Sequence, residues 1–267
     1  IGIQMGRLLT DKYRKELDLI FSFDHLETPG HKRFDDYRYD LSYLKRFYME
    51  HLNADLGHGW NTLFFNNHDN PRMVSKIDPE GAHTETLSKL LAILQLTLRG
   101  TPFIYQGDET GAVNEAFTSI DEISDVESLG LYDELIKTMP PETAFKQVLA
   151  GTRDHARSPL RWDEIEAQRG RAGSVWSFLR DMIALRRSSK ALIYGKLEFM
   201  HPKDKTLLSY TRSLPGSSFY IEANLSCKKR RSKAPKNIKL LVSNSDFKEP
   251  AGILRAYEGR VYLKTQV

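Results

Sequence analysis

Apolar residues recur along this chain in two rhythms, and the rhythm changes near residue 190. Before that point helical spacing dominates. In YLKRFYMEHL (43–52), Leu44, Phe47, Tyr48 and Leu52 share one face, which predicts an amphipathic helix. Across 84–98, Leu87, Leu90, Leu91, Leu94 and Leu98 line a longer face, and Gly100 stands where a C-terminal cap is expected. A third helix is predicted over 174–187, with Val175, Phe178, Leu179, Met182 and Leu185 on one side. The segment YRKELDLIFSF (13–23) is expected to begin as a helix and end strand-like, and HLETPGHKRFDD (25–36) carries a Pro-Gly pair and loop chemistry.

Between these helices lie short apolar runs that end abruptly in polar residues. The run at 60–65 (WNTLFF), bounded by Gly59 and by NNHD, suits a strand buried on both faces. After the 84–98 helix, PFIYQGDE repeats the pattern of an apolar strand with a polar end. Strand, helix, strand with polar residues at the strand C-termini is the unit of a parallel α/β architecture, and such folds place their chemistry at those ends. Residues 111–150 form an acidic excursion too long for a tight loop, expected to carry one or two short helices beside an active site. From Ala191 onward LIYGKLEFM, TLLSYTR, SFYIEANL, IKLLVSN and GRVYLK are short strand candidates separated by turn residues, which predicts an antiparallel all-β module.

Composition narrows the function classes. The chain has 267 residues, 40% hydrophobic and 28% charged, enough for one large domain or one with a smaller companion. Thirty-nine bases against 35 acids give +4. Much of that excess sits in KKRRSK (228–233), which has no aromatic stacking pattern beside it and is expected to be a solvated loop, not a nucleic-acid face. Cys227 is the single cysteine, so an intramolecular disulfide is excluded. No apolar stretch approaches the length of a bilayer span and no signal peptide opens the chain, so a cytoplasmic protein without a membrane partner is expected. The first residue is Ile1, not Met, and a longer parent protein is expected.

The polar run FNNHDNPR (65–72) poses the chemical question. An Asp at a strand end beside a His suits a general acid or base, a metal ligand, or a carboxylate held by Arg72. The metal option is weak, because no further ligand follows at suitable spacing on the same element.

Taken together, FFNNHDNPR, RGTPFIYQGDE and GTRDHARSPLRWD, in that order, resemble the α-amylase superfamily of glycoside hydrolases (family 13). The resemblance is greatest to its branch of oligo-1,6-glucosidases, α-glucosidases and trehalose-phosphate hydrolases, and RKELDLIFSFDH and LRAYEGRVYL fit the same branch. It implies an α/β fold. Residues 1–190 would be the C-terminal part of a (β/α)8 TIM barrel, and 191–267 an antiparallel β-sandwich domain. It also implies exo-acting cleavage of short α-glucosides (α-1,4 or α-1,6) with retention of configuration. An oligosaccharide or disaccharide is the implied partner, with no cofactor and no metal. Asp69 matches the carboxylate that holds the sugar as the oxocarbenium-like state develops. His68 matches the neighbour that donates to the same sugar. Arg157 matches the arginine fixing the non-reducing end, with a planar fork suited to a hydroxyl and a carboxylate together. Glu127, in DVES, matches a carboxylate on the next sugar. Asn67, Arg72 and Arg153 are expected to support these groups, and Gln106, Asp108 and Glu109 to be rim or structural residues.

The same resemblance marks departures. No DGFRxD-like stretch supplies the nucleophile, and the place of the general acid falls a few residues before Ile1. The chain alone is therefore expected to be inactive, with exposed strand edges and poor solubility. A non-catalytic carbohydrate-binding or interaction relative of the same fold is the alternative, although it would need less than the His68, Asp69 and Arg157 set. After RSPLRWD the family's apolar, Asn- and Pro-rich segment is replaced by DEIEAQRGRAG, which leaves the aglycone wall open.

Overall fold

The computed structural model describes residues 2–11, 13–52, 60–245 and 252–264. Helix α1 (Ile3–Leu9) opens the chain, and α2 (Leu41–His51) follows a long loop. Asp40 caps α2 by accepting from the Ser42 amide at 2.8 Å. Strand β1 (Thr62–Leu63) leads through the buried Phe64 and Phe65 to α3 (Met73–Ile77) and α4 (Thr84–Thr97). Strand β2 (Thr101–Pro102) then pairs parallel to β1, Thr62 opposite Thr101. Gly59, expected to bound the first strand, lies outside the described residues. The excursion over 111–150 holds a 3-10 turn at Ile120–Glu122 and two helices, α5 (Val126–Leu135) and α6 (Pro141–Leu149). Next come α7 (Asp154–Arg157), α8 (Trp162–Arg169), α9 (Val175–Ser188) and α10 (Lys190–Tyr194).

The later strands are antiparallel. β3 (Lys196–Met200), β4 (Leu207–Leu214), β5 (Ser217–Asn224), β7 (Ile238–Ser243) and β9 (Gly259–Lys264) form one sheet in the order β3-β4-β5-β9-β7. The short strands β6 (Arg230–Arg231) and β8 (Ile253–Leu254) form a second pair. The LIY of LIYGKLEFM belongs to α10, so the first strand starts later than its apolar run predicts.

Helix α4 is the centre of the molecule. Its Leu87, Leu90, Ile93 and Leu94 are wholly buried, and Leu91, Ala92 and Leu96 nearly so. A helix apolar on one face would leave the other in water, whereas α4 is enclosed on all sides. Each buried Leu or Ile among them contributes about 1.5–3 kcal/mol relative to exposure. On one side Gln95 donates to Leu63 O (3.1 Å) and Phe103 O (2.6 Å), fastening the ends of β1 and β2 to the helix. On the other side the sheet comes so close that a Cβ at Gly259 would lie 2.7 Å from Leu90 Cδ1, and the Tyr210 hydroxyl meets Thr97 Oγ1 at 2.6 Å. The core is continuous from α2 through α4 to β4, β5 and β9.

Two expectations are corrected. Gly100 is not a left-handed cap directly after α4: Leu98 ends the helix, and Gly100 has φ +150° and lies where a Cβ would come within 2.5 Å of Asn61 O, just before β1. The open carbonyls of α4 are satisfied by buried guanidiniums instead. Arg186 donates to Leu96 O, Leu98 O, Gly100 O and Leu192 O, and Arg212 donates to Thr97 O. Burial lowers the Arg212 pKa to about 9 despite the Tyr210 hydroxyl nearby.

Residues 13–23 form neither the expected helix nor a strand. Their apolar side chains do not fall on one helical face, and no backbone ladder joins them to β1. The described tie to that strand is Thr62 Oγ1 donating to Ile20 O at 2.9 Å. Phe21 and Phe23 pack edge-on to Phe64, yet both remain exposed, as do Phe103 and Ile104 after β2.

Candidate active site

The loop after Phe65 is built from side chains that accept backbone donors. Asn67 Oδ1 accepts from the Asp69 amide at 2.8 Å, a tight turn that pushes His68 outward to 66% side-chain exposure and leaves Asp69 at 32%. Asn66 Oδ1 accepts from the Met73 amide at 2.8 Å and closes the base of the loop where α3 begins. Arg72 is buried beneath it. Its amide donates to Asn114 Oδ1 (2.8 Å), its Nη1 donates to Gln106 O (2.8 Å), and its guanidinium lies over the Tyr105 ring. Burial lowers the Arg72 pKa, against the pull of Asp108, Tyr105 and Glu109. The structure thus separates Arg72 from Asp69 and excludes the simple Asp69–Arg72 pair that the local sequence allows. Glu109 accepts from the Gly107 amide at 2.9 Å, and Asp108 from the Tyr105 amide at 2.9 Å and from Asn66 Nδ2 at 2.7 Å.

The opposite wall comes from 151–157. Arg157 Nε donates to His68 O at 2.8 Å, and its Nη2 reaches Asp69 Oδ1 at 3.3 Å. Arg153 Nη1 stands 3.9 Å from the same oxygen. His68 Nε2 lies 3.4 Å from Asp69 Oδ2. One carboxylate is therefore flanked by two guanidiniums on one oxygen and an imidazole on the other, in a half-exposed setting. Such a group suits hydroxyls, which need an acceptor and donors side by side.

Arg153 has a second anchor. Its Nε and Nη2 reach Asp125 Oδ1 at 2.8 and 2.5 Å, and Asp125 is 1% exposed at the side chain. Burial opposes ionisation there, but the hydrogen bonds from Arg153 and Ser128 outweigh it and hold the carboxyl at about 2. Glu127 lies 3.4 Å from Arg153 Nη2. Asp154 ties this wall to the 111–150 excursion by accepting from the Ser124 and Asp125 amides at 2.6 and 2.9 Å. A cavity of about 510 Å³ opens beside this cluster, lined by Phe117, Val126, Arg153, Arg157 and Pro159 among others.

Arg33 completes the cluster and was not singled out by the sequence. It meets Glu127 Oε1 at 2.7 Å as an ion pair, and its Nη1 donates to Asp69 O at 3.4 Å. The only signal was a charged KRFDD stretch inside a Pro-Gly loop, which reads as a solvated turn. Its packing is enforced by Gly151, where a Cβ would lie 2.6 Å from Arg33 O. Asp125, two residues before Glu127, likewise carries no signal of its own in the sequence. So the structure brings His68, Asp69, Arg153, Arg157 and Glu127 into one cluster, with Asn67 in its turn and Arg72 below. Among the described residues no group of three or more His, Cys, Asp or Glu is placed to hold a metal, and no helix is long and apolar enough to cross a membrane.

Residues 4–195 match the α-amylase catalytic domain. An oligo-1,6-glucosidase of Parageobacillus thermoglucosidasius is 31% identical over 96% of this chain and 52% of its own length. The trehalose-6-phosphate hydrolase of Escherichia coli (strain K12) is 31% identical over 79% of this chain and 43% of its own. Among solved structures, the trehalose-6-phosphate hydrolase of Bacillus licheniformis superimposes with a TM-score of 0.88 at 26% identity, covering 98% of this chain and 54% of that one. The chain spans about half the length of the curated relatives it matches. The parallel β1–β2 pair and its helices are accordingly part of a catalytic barrel. With most of its length matched to that domain, this chain belongs to the α-amylase family of glycoside hydrolases.

Proposed function

We propose that this chain is the C-terminal part of a retaining, exo-acting α-glucosidase for short α-1,4- or α-1,6-linked glucosides. Asp69 is its transition-state carboxylate, gripping ring hydroxyls more tightly as the sugar flattens toward an oxocarbenium ion. His68 donates to the same sugar, Arg157 fixes its non-reducing end, and Glu127 with Arg153 faces the next residue. The nucleophile and general acid belong to the preceding βα units, so the chain alone is inactive. The observation that carries this reading is the Asp69 carboxylate held between His68, Arg153 and Arg157 beside an open cavity. The exposed Phe21, Phe23, Phe103 and Ile104 support it, since further barrel strands would cover such a surface.

The test is expression of the reading frame extended upstream of Ile1, followed by glucose release from maltose, isomaltose and trehalose 6-phosphate. We expect turnover of at least one substrate and none by residues 1–267 alone. Asp69→Asn should lower kcat by on the order of 10²–10³ or more while the circular dichroism spectrum is unchanged. Turnover by the isolated chain, or retention of about a tenth of kcat by Asp69→Asn, would refute the assignment.

A further inference from the structure

We propose that Asp108 is a positioning residue for the Asp69 loop, holding it in place when ionised and loosening it when protonated. The geometry is a relay from one strand end to the other. The Asp108 carboxylate accepts from the Tyr105 amide beyond β2 (2.9 Å) and from Asn66 Nδ2 beyond β1 (2.7 Å). Asn66 in turn presents Oδ1 to the Met73 amide (2.8 Å). Residues 67–72, with His68 and Asp69, are suspended between those two anchors.

Both partners of Asp108 are donors, so two acceptor oxygens are required. A carboxylate supplies both. An amide supplies one acceptor and turns an N–H toward the remaining donor; a carboxylic acid offers its hydroxyl oxygen only as a weak acceptor, so one of the two bonds is weakened. Turning the Asn66 amide over does not help, because its NH₂ would then face the Met73 N–H. Protonation of Asp108 therefore weakens the hold on Asn66 or Tyr105, and through Asn66 the anchor at the start of α3.

The charged groups facing Asp108 are the Arg72 guanidinium from below the loop and Glu109 from its own turn. The residues of α4 and α9 around the adjoining cavity are the uncharged Ser88, Gln95 and Leu179. Burial raises the Asp108 pKa to about 6, outweighing the bonds from Tyr105 and Asn66 and the Arg72 charge. The loosening thus falls in a mildly acidic range. Its consequence for catalysis rests on the sugar-site role given to Asp69: an acid limb in kcat with KM little changed.

The test is NMR on the protein expressed from the reading frame extended upstream of Ile1, isotopically labelled at Asp, Asn and Met and titrated between about pH 4.5 and 8. We expect the Asp108 carboxyl carbon, the Asn66 side-chain amide and the Met73 amide to shift together near pH 6. The same joint transition should persist in His68→Gln, which leaves Asp108 and both of its partners in place. In Asp108→Asn the Met73 transition should vanish. A Met73 amide that is independent of pH in the wild-type chain would overturn the proposal. So would an Asp108 carboxyl that titrates in the ordinary carboxylate range. Both readouts are independent of sugar, so they decide the inference even if Asp69 proves not to bind a glucoside.

Discussion

Asp125 is the deepest support of the site, and its replacement by asparagine isolates what the Arg153 pair contributes. In an open chain this carboxyl would titrate near 3.8, and here it is held at about 2. At about 1.36 kcal/mol per tenfold change in acidity, that difference stabilises the fold by roughly 2 kcal/mol at neutral pH. The sign follows from the depressed value. The contribution is complete above the open-chain pKa and is lost as pH falls through the folded one. The gap between wild type and Asp125→Asn should therefore be roughly 2 kcal/mol at pH 7, about half that at pH 3, and close to zero below about pH 2. Urea denaturation followed by tryptophan fluorescence, repeated from pH 7 down to 3, measures it. The variant also frees Arg153 to turn toward Asp69, so sugar affinity should change alongside stability. A gap under about 0.5 kcal/mol at pH 7, or one that does not narrow with acid, would refute the reasoning.

Replacement of Arg186 by methionine should cost about 3–5 kcal/mol, because four carbonyls around the end of α4 lose their donor. For a chain of this size that is a fall of roughly 6–20 °C in Tm by calorimetry, and a fall under about 2 °C would count against it. Gly100→Ala should destabilise by more than the about 1 kcal/mol usual for helix or strand propensity, since its Cβ would meet Asn61 O at 2.5 Å on the adjacent strand. An unchanged urea midpoint would show that β1 and β2 can move apart.

Much of the architecture was legible along the chain, and the failures have physical causes. The leucines of α4 announce a helix because their spacing places them together whatever surrounds them. The strands after 195 announce themselves through β-branched and aromatic runs between turns. Residues 13–23 mislead because their charged start resembles a helix and their aromatic end a strand, while backbone partners, which no local pattern reveals, decide between them. Helix α8 was missed because DEIEAQR carries little apolar periodicity and its Ile165 alone is buried. In the site, His68, Asp69 and Arg157 were legible through their motifs. Arg33 and Asp125 were not, since an arginine in a loop and an acid in an excursion have no meaning until a partner is known.

By itself the sequence determined the long helices α2, α4 and α9, the change from α/β to antiparallel β, and the family's polar strand ends, because those are properties of residues close in the chain. Only the tertiary structure decided which charges meet. Asp69 lies three residues before Arg72 in sequence but faces Arg157 and Arg153, which are more than eighty residues away. Arg72 turns inward to the carbonyl of Gln106 instead. A side chain's partner is set by where strands end and helices cross, and that is fixed by the packing around α4.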